Sequence, residues 1–148
     1  MSNFWKTWLT VWCWVLAIFG LVLAGGAFEA SSGPVRLLYG LFGGVPDLDL
    51  DKSLRFSIGL MGAVTFGWSL TFAAAFRAAH LLGGRAQPVW AMVTVGVMAW
   101  YVVDGAISIA TGFAPNAASN TVLLIGYLLP VLRSGVLGKT TSGAAVPA

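Results

Sequence analysis

Four apolar stretches dominate this chain, at about 9–28, 54–76, 89–111 and 117–137. Each approaches the roughly 20 residues that a helix needs to cross the hydrocarbon core of a bilayer. They consume most of a 148-residue sequence in which 58% of residues are hydrophobic and only 9% are charged. A soluble domain carries about 25% charged residues, and eight basic plus five acidic side chains cannot build a solvated surface of this size. The sequence therefore predicts an all-α integral membrane protein. It reads as one four-transmembrane-helix bundle over residues 1–137, followed by a small, polar tail over 138–148 that should be disordered. Its solvent, and first partner, is the lipid bilayer.

The basic residues set a direction. Lys6 precedes the first stretch, Arg77, His80 and Arg85 lie around the connection between the second and third, and Arg133 and Lys139 follow the fourth. The long connection between the first two stretches gathers the acids Glu29, Asp47, Asp49 and Asp51 against Arg36 and Lys52, with Arg55 just beyond. The positive-inside rule then places both termini in the cytoplasm, with the chain in a bacterial inner (cytoplasmic) membrane. The first stretch has a rival reading as a cleaved signal peptide, given Lys6 and the small residues near Gly25–Ala27. Its length and its Trp8, Trp12 and Trp14 favour a retained helix. Trp5, Trp8 and Trp12 suit an interfacial anchor. Pro88 suits a first helical turn. Pro130 should kink or end the fourth helix.

Within the long connection, Val35, Leu37, Leu38, Leu41 and Phe42 form a short apolar segment. It starts near Pro34, with Ser31 and Ser32 as possible caps, and should stop at Gly43–Gly44. It is too short to span, which predicts an interfacial or re-entrant helix in the first outer loop, read first as a linker on the headgroups and second as a lid. Asp47, Asp49 and Asp51 alternate with leucines like the start of a calcium loop. Lys52 stands where that loop requires glycine and Ile58 where it requires glutamate, so a working EF-hand is excluded.

Asp104 is the only acid inside any of the four stretches. A carboxylate at mid-helix costs about 2.5–3.5 kcal/mol on insertion scales, and intramembrane acids face the bundle or a wet cavity. The i, i+4 row Gly96, Trp100, Asp104, Ser108 and Gly112 defines its face. Asn116 and Asn120 share one face of the fourth helix, with Tyr127 two turns on. Arg55 enters from the second helix as the expected counter-ion. Asp104, Arg55 and the two asparagines read first as a polar staple between helices; the second reading is a binding, proton or ion site made of Asp104, Arg55, Ser108, Asn116, Asn120, Trp100 and Tyr127. Small residues mark close helix contacts. Gly59, Ala63 and Gly67 form one such row on the second helix, and Gly20, Ala24 and Ala27 share a face of the first.

Much chemistry is missing. One cysteine, Cys13, makes no disulfide or redox pair, and one histidine, His80, makes no metal centre. No GxSxG, HExxH or phosphate loop occurs. No catalytic residue, metal or cofactor is assigned, and enzymatic activity is less expected than its absence. The scattered basic residues give no nucleic-acid footprint. The first expectation is an accessory subunit of a larger membrane assembly, with a membrane-protein partner or a homo-oligomer. The alternative is a transporter, channel subunit, or small-molecule or lipid binder using the polar cluster around Asp104. The third is a lipid-modifying membrane enzyme.

Overall fold

A computed structural model of the protein describes residues 1–42 and 49–138. Five α-helices follow in chain order: α1 (Asn3–Gly25), α2 (Gly33–Leu41), α3 (Lys52–Leu82), α4 (Gln87–Ala110) and α5 (Ala114–Arg133). Short 3-10 turns at Glu29–Ser31 and Gly83–Arg85 make two of the connections, and no strand occurs among the described residues. Four of the helices, all but α2, are long and apolar enough to cross a membrane. α1 and α3 run farther than hydropathy alone indicated. Ser2 caps α1 by accepting from the Trp5 amide at 3.5 Å, and Asp51 caps α3 by accepting from the Leu54 amide at 2.7 Å. Polar capping starts each helix before its apolar run begins. Asp47, the glycines at 43–44 and the tail beyond Gly138 lie outside the described residues.

These long apolar helices keep much of their apolar surface exposed, and their association leans on close backbone approach. α1 and α3 achieve it at Gly20 and Gly62. A β-carbon on Gly62 would lie 2.1 Å from the Ala24 amide nitrogen, and one on Gly20 would lie 2.5 Å from that of Phe66. The contact row on α3 is therefore Gly59–Gly62–Phe66. The expected row Gly59–Ala63–Gly67 is correct only at its first member, where an added β-carbon would meet the Ala27 methyl group at 2.8 Å. Gly67 has open space around it. The face of α3 that meets α1 follows i, i+3 and i+7 here, not a spacing of four.

α4 and α5 form the second pair. Gly112, at φ +85°, reverses the chain, and the Phe113 amide donates to the Ser108 carbonyl at 2.7 Å. The two pairs meet through an aromatic cluster. Trp12 of α1 packs on Phe72 and Tyr127 at 5.5 and 5.7 Å, while Phe76 of α3 stacks on Trp90 and Tyr127 at 5.5 and 6.1 Å. Trp12 is buried, with its indole donating to the Leu123 carbonyl at 2.9 Å, so it joins helices and does not anchor the chain at a surface. Trp8 does similar work. Pro130 neither ends nor breaks α5, which continues to Arg133. A proline removes the amide that would bond the carbonyl four residues earlier. That carbonyl belongs to Gly126, and the Trp8 indole donates to it at 2.8 Å.

Elsewhere the hydroxyls on exposed helix faces fold back on their own helix. Thr10, Thr65 and Thr71 donate to the carbonyls of Lys6, Met61 and Gly67 at 2.8–3.0 Å. Those outer faces are otherwise apolar, with Val15, Ile18, Leu60, Met92, Val102, Val122 and Ile125 all exposed.

Two outcomes follow for thermal unfolding in detergent. Gly62→Ala should cost about 1–3 kcal/mol, as overpacking does, while Gly67→Ala is neutral; equal effects would refute the backbone contact. Trp8→Phe should cost about 1 kcal/mol, the usual net worth of a hydrogen bond, and nearly nothing in a Pro130→Ala background, where the new amide can serve Gly126. An undiminished cost there would show that Trp8 acts by packing alone.

Candidate functional site

The α1–α3 and α4–α5 pairs part toward the end that carries α2, leaving a cavity of about 460 Å³ between them. Its floor is the top of the aromatic cluster, at Trp12 and Phe72, with Leu123 and Val97. Leu16, Phe19 and Leu23 of α1, with Met61, Val64, Thr65 and Trp68 of α3, make one wall. The opposite wall carries the polar groups: Asp104 and Ser108 of α4, Asn116 and Asn120 of α5.

That polar wall is a product of the tight α4–α5 reversal. Asp104 and Ser108 are one turn apart on α4, and Asn116 and Asn120 one turn apart on α5, so the reversal sets two ladders side by side. Asp104 Oδ1 accepts from Ser108 Oγ at 3.1 Å, from Asn116 Nδ2 at 3.0 Å and from Asn120 Nδ2 at 2.6 Å. Asn116 Nδ2 also donates to Ser108 Oγ at 2.8 Å. Ser108 and Asn120 are buried, whereas Asp104 and Asn116 are half-buried and line the cavity. Hydrogen bonds to a charged group contribute about 1.5–3 kcal/mol each. Three of them offset the cost of placing a carboxylate on an apolar helix.

The expected Arg55 counter-ion requires correction. Arg55 pairs with Glu29, and Glu29 also faces Arg36 at 3.6 Å. Among the described residues no ion pair involves Asp104. The reason is position: Arg55 sits in the first turn of α3, beside the connection after α1 that carries Glu29, while Asp104 lies six residues before the end of α4. Tyr127 is also displaced from the site. Its side chain is fully buried in the aromatic cluster, and its hydroxyl meets Thr94 Oγ1 at 2.9 Å. Trp100 does line the cavity.

The roof comes from the segment that the sequence offers first as a linker and second as a lid. Leu38, Tyr39 and Phe42 from α2 and its C-terminus line the cavity, and Tyr39 meets Phe113 edge-on at 6.3 Å. α2 thus covers one end of the cavity. Val35 docks it on Gly26 and Ile58, in a small core with Leu23 and Leu50. Neither Ser31 nor Ser32 caps it. Their hydroxyls donate to the carbonyls of Gly25 and Glu29 at 2.7 and 2.9 Å, which pins the turn before α2 instead. The alternation of Leu38 and Tyr39 with the exposed Leu37 and Leu41 was the signal for a two-sided helix.

The cavity also opens sideways. α3 and α4 meet beside their hairpin, where Phe76 and His80 pack on Trp90 at 5.5 and 5.7 Å. Farther along the cavity lies between them, and its lining residues Met61, Val64, Trp68 and Ile107 are exposed on the surface. Among the described residues no cluster of three His, Cys, Asp or Glu side chains forms a metal centre. No family model, curated protein or solved structure matches the chain.

Stability cycles separate the two ion contacts. Arg55→Gln and Glu29→Gln should couple by about 0.5–1 kcal/mol, as exposed pairs do. Arg55→Gln and Asp104→Asn should add to within about 0.5 kcal/mol, as distant sites do. Coupling in the second cycle and additivity in the first would overturn the assignment.

Proposed function

We propose that this protein is a membrane-embedded binding protein for an amphipathic small molecule or lipid. The observation that carries the reading is the cavity of about 460 Å³, apolar on most sides and polar at one wall. Ligand sites are concave, mostly apolar, and carry a few convergent polar groups, within a range of about 300–1,000 Å³. A polar cluster that served only to staple α4 to α5 has no need of an adjoining void. The ligand's apolar body lies against Phe19, Trp68 and Phe72, and its polar end meets Asp104 and Asn116.

The lateral opening between α3 and α4 supports entry from the hydrocarbon layer rather than from water. On this reading α2 lies at the outer surface, and the Lys6 and Arg77 end is cytoplasmic, following the basic bias of the connections. α2 then closes the cavity from above while its exposed Leu37 and Leu41 rest in the headgroup region. Whether binding is the end of the process or one step of transport, the site is the same.

Gentle purification from the native membrane, followed by mass spectrometry of small molecules and proteins alike, tests the proposal. The expected result is one amphipathic molecule per chain. It should be lost in Thr65→Phe, which fills the cavity from α3 without touching the polar wall. A stoichiometric protein partner with an empty cavity would refute the binding reading and support an accessory subunit.

A further inference from the structure

Resting on that reading of the cavity, we infer that the polar end of its ligand is a cation: the site takes a lipophilic ammonium compound, held by the Asp104 carboxylate against an aromatic wall. Charge balance points there. Asp104 is the sole acid on the four long helices among the described residues outside the first turn of any helix, and no ion pair satisfies it. Its three partners are neutral donors that all crowd Oδ1, and none of those bonds uses Oδ2. Such donors lower the cost of the charge without cancelling it. An opposite charge beside a carboxyl favours its ionised form, so a cationic ligand and Asp104 stabilise each other, whereas a neutral ligand gains only a hydrogen bond and an anion gains no such partner.

The protein's nearest cations are held elsewhere. Glu29 engages both Arg55 and Arg36 at the α2 end, so neither reaches down to the carboxylate. The opposing surface suits a cation in its own right. Trp68 and Phe72 of α3 line the cavity across from Asp104, and an aromatic ring attracts a cation while disfavouring an anion. A carboxylate on one side and aromatic side chains on the other suit positive charge carried on an apolar body.

Three probes with one apolar body test the charge: phenylbutylammonium, phenylbutanol and phenylbutyrate, titrated into the full-length protein in nanodiscs of neutral lipid, with quenching of tryptophan fluorescence as the readout. The ammonium probe should bind at least tenfold more tightly than the alcohol, and the carboxylate probe most weakly. Asp104→Asn keeps an acceptor at Oδ1 and should bring the ammonium probe and the alcohol to equal affinity, with an unshifted thermal unfolding transition reporting that the variant is folded; an ammonium advantage that persists in this variant would overturn the role of Asp104. Equal binding of ammonium and alcohol by the unaltered protein would overturn the cation assignment and leave the cavity reading standing. Failure of all three probes to bind would overturn the cavity reading itself.

Discussion

Backbone contact between α1 and α3 at Gly20 and Gly62 is the constraint on which the rest of this structure depends. Helices in an apolar solvent associate where their backbones can approach, and here two glycines let a carbonyl and an amide of one helix touch the other. One pair of helices is thereby locked along much of its length. α4 and α5 are locked differently, by a tight reversal at Gly112 and by the hydrogen bonds that Asn116 and Asn120 give to Asp104. Two stiff pairs joined toward one end, by the aromatic cluster and by the Trp8 and Trp12 indole bonds to α5, part toward the other. The cavity is the geometric consequence.

Asp104 then has two roles that need not compete. Its hydrogen bonds staple α5 to α4, which is the structural role a buried polar group usually fills. The same bonds hold the carboxylate at the cavity wall without an ion pair, which is the arrangement a binding site needs. A staple alone would be served as well by an amide. An acid where an amide would serve is what the proposed cationic ligand accounts for.

The four long helices were legible in the sequence, because 20-residue apolar runs leave little choice. So was the meeting of Asp104, Ser108, Asn116 and Asn120, since i, i+4 spacing on either side of a short reversal brings two ladders together. The partner of Arg55 was not legible. Two acids were within plausible reach, and only the fold of the Gly25–Ser32 connection shows that Glu29 is the nearer. Tyr127 lies on the same α5 face as Asn120 but beyond the plane where the pairs close, and helical periodicity carries no information about that plane. That α5 runs on past Pro130 was not legible for a similar reason: a rule about one helix cannot anticipate that Trp8 of another supplies the missing donor.

The measurement that bears most directly on all of this is the contact of the Asp104 carboxyl carbon with side-chain nitrogens, read by nitrogen–carbon dipolar recoupling in solid-state NMR of the labelled protein in lipid. Cross-peaks to Asn116 and Asn120 amide nitrogens, with none to an arginine guanidinium, are predicted. A peak to Arg55, with the asparagine peaks absent, would contradict the separation of the two charge centres and with it the cavity built around Asp104.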